Sequence, residues 1–130
     1  MRLWHYELIP YLPNSQLIAQ WRELNSIFKK QDNHLLINYV YDYQKEYLWS
    51  YTQLVIDEMK KRNFKIHSWE NYNEYFKDTQ QISGLKFFEH DSLYFTICYY
   101  NLFEKFMCGQ KDFSYEQFKK LKKFYERYGD

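Results

Sequence analysis

Glycine, proline and cysteine are all scarce in this chain: three, two and two residues among 130. So few glycines leave no material for a Gly-rich phosphate loop, and the scarcity of both turn residues argues against a β-rich fold of tight turns. The two cysteines, Cys98 and Cys108, are spaced as neither a zinc knuckle nor a redox pair, and one bridge would make no disulfide framework. They read as reduced, partly buried thiols. Excess charge is missing too, since 18 Lys+Arg face 17 Asp+Glu. No window reaches the ~18 apolar residues of a membrane span, and Met1–Glu7 lacks the apolar stretch of a signal peptide. A cytoplasmic protein with no membrane partner is expected.

Aromatic residues are abundant instead: 4 Trp, 15 Tyr and 11 Phe. A chain this rich in rings is not disordered. Helical periodicity organises most of them. Leu17, Trp21, Leu24 and Phe28 form one stripe, with Asn14 or Ser15 as its cap. Tyr47, Tyr51, Leu54, Val55 and Met59 form a second, ended by Lys60–Arg62 and by Asn63 as a left-handed cap. Asp91 or Ser92 opens a third, carrying Leu93, Ile97, Tyr100 and Phe103 and stopped by Gly109. Ser114 and Gln117 make a capping box before a fourth stripe of Phe118, Leu121, Tyr125 and Tyr128. The segment 35–41 is ambiguous between helix and strand, and 64–83 has no sustained period. The expected fold is mainly α: one domain over residues 1–130, with about four helices and irregular connections.

Charge is uneven along the chain. Residues 1–65 carry net +2, residues 66–100 net −3 and residues 101–130 net +2. The last excess comes mostly from Lys119, Lys120, Lys122 and Lys123. A solvated helix face accounts for these lysines as well as a phosphate-binding surface does. P-loop, dinucleotide, zinc-protease and serine-hydrolase motifs are all missing. The four histidines are never paired at ligand spacing, so no metal and no cofactor is expected.

The residues that point to chemistry lie at the start. Met1-Arg2-Leu3-Trp4-His5, Leu8-Ile9-Pro10, Leu12-Pro13 and Gln20-Trp21-Arg22-Glu23 together resemble the pyrimidine-dimer DNA glycosylase family. Matches continue in order through His34 with Asn38-Tyr39-Val40, Glu58-Met59 with Arg62-Asn63-Phe64, and His90-Asp91 with Cys98 and Asn101-Leu102. At two polar positions of the first helix where the family's archetype has a histidine and a second arginine, this chain has Gln16 and Ser26.

The resemblance implies a small, mostly helical enzyme combining glycosylase with abasic-site lyase activity. An N-terminal α-amine and a glutamate on the first helix would do the chemistry, here Met1 and Glu23. An α-amine titrates near 7.7–8.0 as a class, so far more of it is free base at neutral pH than of a lysine. It can attack the sugar C1′ and form a Schiff base, while a neighbouring carboxylate stabilises the cation and moves protons. Arg2, His5, Arg22, His34 and Asn38 are the implied contacts to DNA or phosphate. A second reading keeps the scaffold and drops the catalysis. In it, a cleft lined by Arg2, His5, Arg22, Glu23, His34 and nearby tyrosines binds a nucleotide or short nucleic acid, for example in phage counter-defence, with rings free to stack on bases.

Overall fold

The computed structural model describes residues 1–31 and 33–128. Five α-helices, α1 (Asn14–Lys29), α2 (Lys45–Lys61), α3 (Trp69–Tyr75), α4 (Ser92–Met107) and α5 (Tyr115–Tyr128), are joined by irregular segments and two 3-10 turns, Tyr6–Tyr11 and Asn38–Asp42. No strand occurs among the described residues. The four helices expected from periodicity are all present, and the fold class is mainly α. The ambiguous segment resolves partly into the Asn38–Asp42 turn. The aperiodic one contains the seven-residue α3, too short to show a repeat.

Helix ends follow local chemistry. Ser114 and Gln117 form the reciprocal capping box: Gln117 Oε1 accepts from the Ser114 N–H at 2.8 Å, and Ser114 Oγ from the Gln117 N–H at 3.1 Å. Asp91 caps α4 by accepting from the Tyr94 N–H at 2.9 Å. Asn63 and Gly109 take positive φ, 62° and 82°, and close α2 and α4 with the paired return hydrogen bonds of a Schellman motif. At α1 the expectation is corrected. Pro13 is the cap residue, and Ser15 instead binds Asp112 through its N–H at 2.6 Å and its hydroxyl at 3.0 Å. That long-range pair ties the start of α1 to the α4–α5 connection.

The core explains the ring surplus. Trp21 and Phe28 of α1 meet Trp69, Tyr72 and Phe76 from α3 and its C-terminal end. Between α4 and α5, Tyr99 stacks on Tyr125 at 3.8 Å and Phe95 on Tyr128 at 3.7 Å. These contacts add edge and stacking terms to ordinary apolar burial. On α4 the buried residues are Phe95, Cys98, Tyr99 and Leu102, whereas the predicted stripe residues Leu93, Ile97 and Tyr100 are exposed. Apolar residues surround that helix, so periodicity did not single out the face that α5 covers. Leu54 of the second stripe is likewise exposed. Both cysteines are free, but Cys108 is exposed rather than partly buried. No helix among the described residues is long and apolar enough to cross a membrane.

The 3-10 turn at Tyr6–Tyr11 is held by Arg62 at the end of α2. Its guanidinium donates to the carbonyls of Leu12 (2.7 Å) and Pro10 (3.1 Å), to Asn14 Oδ1 (3.0 Å) and to Glu58 (2.8 Å). Arg62 thereby satisfies carbonyls that the turn leaves open, a role beyond complementing a helix dipole.

Candidate active site

The chain preceding the first turn is extended and threads between α1, α2 and α4. Leu3, Trp4 and His5 are buried, while Met1 and part of Arg2 remain accessible. One side chain organises this segment. Gln20, fully buried on the inner face of α1, accepts at Oε1 from the Trp4 N–H at 2.8 Å, and its Nε2 donates to the Arg2 carbonyl at 3.0 Å. The same Nε2 donates to Glu23 Oε2, one helical turn along, at 3.1 Å. The Tyr51 hydroxyl of α2 shares its proton between the Trp4 carbonyl at 2.6 Å and Gln20 Oε1 at 2.9 Å. Burial keeps that phenol protonated, well above its ordinary range.

Glu23 is half-buried, and burial pushes its carboxyl above the ordinary carboxylate range. The strongest opposing influence is the α-ammonium of Met1, followed by the Arg2 backbone amide, Arg22 and His34. Gln20 therefore links the carboxylate of α1 to the backbone next to Met1, and the Met1 ammonium is near enough for its charge to act on Glu23. His34 opens the turn leading to Asn38: its Nδ1 accepts from the Leu36 N–H at 3.2 Å and its carbonyl from the Asn38 N–H at 3.0 Å. Asn38 is exposed at the start of the second 3-10 turn. Leu35, between them, is 81% exposed.

Two of the expected contacts lie elsewhere. His5 is inaccessible and does not line the cleft. Its Nδ1 accepts from the Glu7 N–H at 3.1 Å, and its ring packs on His90, Tyr6 and Phe95. Burial lowers its pKa to about 4, and that of His90, whose Nε2 meets the Tyr39 hydroxyl at 2.7 Å, to about 3. Arg22 is exposed and faces a separate groove of about 590 Å³ floored by Trp21, Met59 and Phe64, with Lys65 and His67 at its edge. A single cleft joining Arg2, His5, Arg22, Glu23 and His34 is thus replaced by two neighbouring surfaces of α1. The Arg2 guanidinium lies 5.9 Å from the ring centroids of both Trp4 and Tyr94, and its Nη1 is 3.9 Å from Cys98 Sγ.

Sequence reasoning passed over Gln20 and Tyr51 as functional residues. Gln20 stands three positions before its partner Glu23, but its other partners sit 16, 18 and 31 positions away and leave no local signal. Among the described residues, no three His, Cys, Asp or Glu side chains converge as metal ligands.

Residues 1–71 match the family model described as pyrimidine dimer DNA glycosylase. No curated protein and no solved structure matches the chain. The matched span includes the extended N-terminal segment, α1, the His34–Asn38 turn and α2. Helix α4, which also flanks the N-terminal segment, and α5 lie beyond it.

Proposed function

The chain belongs to the pyrimidine dimer DNA glycosylase family, and on that premise we propose that it excises damaged bases and nicks the resulting abasic site, using the Met1 amine and Glu23. The observation that carries this reading is the buried Gln20 amide, which donates both to the half-buried Glu23 carboxylate at 3.1 Å and to the carbonyl of Arg2, the residue next to Met1, at 3.0 Å.

The chemistry follows from that juxtaposition. The unprotonated Met1 amine attacks C1′ of the damaged nucleotide. The glycosidic C–N bond breaks, its electron pair leaves with the base, and the base is protonated. Loss of a proton from the attacking nitrogen and opening of the sugar ring give an iminium at C1′, whose positive charge the Glu23 carboxylate stabilises. Glu23 then accepts a proton from C2′, and the C3′–O bond breaks with the 3′ phosphate as leaving group. Burial that raises the Glu23 carboxyl also makes it a better proton acceptor once ionised. His34 and Asn38, both exposed, are the residues this reading assigns to the DNA backbone. A target base inside a duplex must be extruded to reach the amine.

Incubation with UV-irradiated or abasic duplex and borohydride tests the reading, because reduction of the iminium leaves a stable secondary amine joining protein to DNA. The expected result is a covalent adduct that disappears in Glu23→Gln or when the amine is blocked. Intact DNA with no adduct would refute it. The groove beside Arg22 favours the second reading, a family member that binds a nucleotide without cutting. Its apolar floor and cationic edge suit a base carrying a phosphate. Saturable binding of nucleoside monophosphates with no adduct would select that reading.

A further inference from the structure

We propose that Gln20 is the positioning residue of this site, a single buried amide that fixes the Met1 amine and the Glu23 carboxylate relative to one another. The inference rests on the amine–carboxylate reading above and adds to it the group that sets the geometry.

A glutamine amide offers two N–H donors and one oxygen with two lone pairs, and here all four are engaged. Nε2 spends one donor on Glu23 Oε2 (3.1 Å) and the other on the carbonyl of Arg2 (3.0 Å), the residue covalently bonded to Met1. Oε1 accepts from the Trp4 N–H (2.8 Å) and faces the Tyr51 hydroxyl (2.9 Å). The extended N-terminal segment is therefore held at residues 2 and 4 by the same planar group that touches the carboxylate. Because the amide is planar and wholly buried, neither end can move without breaking a bond at the other. Reaction of an amine with a bound sugar depends on placement to a fraction of an ångström, and a terminus with no such anchor frays. Gln20 is neutral, so it donates to Glu23 without adding a cation that would compete for the proton. Arg22, the charged neighbour, instead faces the separate groove.

Gln20→Met keeps length and burial but removes all four interactions. Tyr51→Phe serves as the control, because it deletes a hydrogen bond on the far side of the same network without touching Glu23. Two readouts are compared with wild type: the Glu23 carboxyl titration by carbon NMR, assigned with Glu23→Gln, and the single-turnover rate of borohydride trapping on abasic duplex across pH. Loss of a hydrogen bond to a charged group, with release of the Met1 ammonium, should raise the Glu23 midpoint by about one pH unit. Trapping at saturating DNA should fall about tenfold or more, with little change in the DNA concentration for half-saturation. Tyr51→Phe should leave the Glu23 midpoint in place. If Gln20→Met does not fold, Gln20→Asn carries the same expectations, since its amide is one methylene too short to span from Trp4 to Glu23. An unmoved Glu23 midpoint in a folded Gln20 variant overturns the assignment. A wild-type protein that never traps would overturn the proposed chemistry, while the titration still decides the role of Gln20.

Discussion

Lowering the pH from 7 to 5 should destabilise this protein steeply, because two histidines are buried without charge. His5 and His90 pack 5.6 Å apart, ring to ring, and neither His5 Nε2 nor His90 Nδ1 has a hydrogen-bond partner. Tyr39, Tyr94, Phe95 and Phe87 enclose them; Asp91 favours protonation of both, while Lys86 opposes it at His5. Their folded pKa values, about 4 and about 3, lie below the ordinary 6.5 because burial penalises the imidazolium. The unfolded chain therefore takes up protons below pH 6.5 that the native protein does not, and stability falls as pH falls. The loss continues until pH about 4 for His5 and about 3 for His90. Between pH 7 and 5 each histidine contributes roughly 2 kcal/mol, or about 4 kcal/mol together, at about 1.4 kcal/mol per unit. Against a typical total of about 5–15 kcal/mol, that is a large fraction. Glu23 acts in the opposite sense, since its raised carboxyl takes up a proton in the native state first, and it trims the slope. Urea unfolding followed by tryptophan fluorescence at half-unit pH steps measures the effect. His5→Asn, whose Oδ1 can still accept from the Glu7 N–H, should remove about half of it. A flat stability profile between pH 5 and 7, or histidine resonances titrating near 6.5, would refute the reasoning. Activity should share the acid limb, because His5 ends the extended segment that carries Met1 and Arg2.

Other expectations test separate parts of the structure. Glu23→Gln should abolish DNA incision by about a hundredfold or more while leaving helical circular dichroism unchanged. At neutral pH it should also stabilise the fold slightly, because removing a carboxylate whose pKa is raised on folding removes a cost that grows as pH rises. Arg62→Met severs contacts to the Pro10 and Leu12 carbonyls, to Asn14 and to Glu58, and should cost about 2–3 kcal/mol in chemical denaturation, with no change in the Glu23 titration. Ser114→Ala breaks the α5 capping box and should cost about 1 kcal/mol. Arg22→Ala should weaken duplex binding at all sequences and lower the salt dependence by about one phosphate contact, read from binding isotherms at several salt concentrations.

The sequence by itself determined what depends on neighbours along the chain. Helix stripes, the capping box at Ser114, the left-handed stops at Asn63 and Gly109 and the mainly helical class all arise from contacts within a few residues, so spacing exposes them. The opening block of Met1 to Glu23 was equally legible, and it carried the family. Tertiary structure decided which face of α4 is inside, because that helix is apolar all round and only the stacking of Tyr125 and Tyr128 selects Phe95 and Tyr99. It also decided which polar residues share the site. Arg22 and Glu23 are adjacent in sequence, yet the helical rotation between them sends one to the groove and the other to the Gln20 amide. His5, polar by composition, is buried because the extended N-terminal segment passes through the core. Gln20 is an anchor only once the N-terminal segment, α1 and α2 are together, since four hydrogen bonds on one amide are a property of the assembled fold.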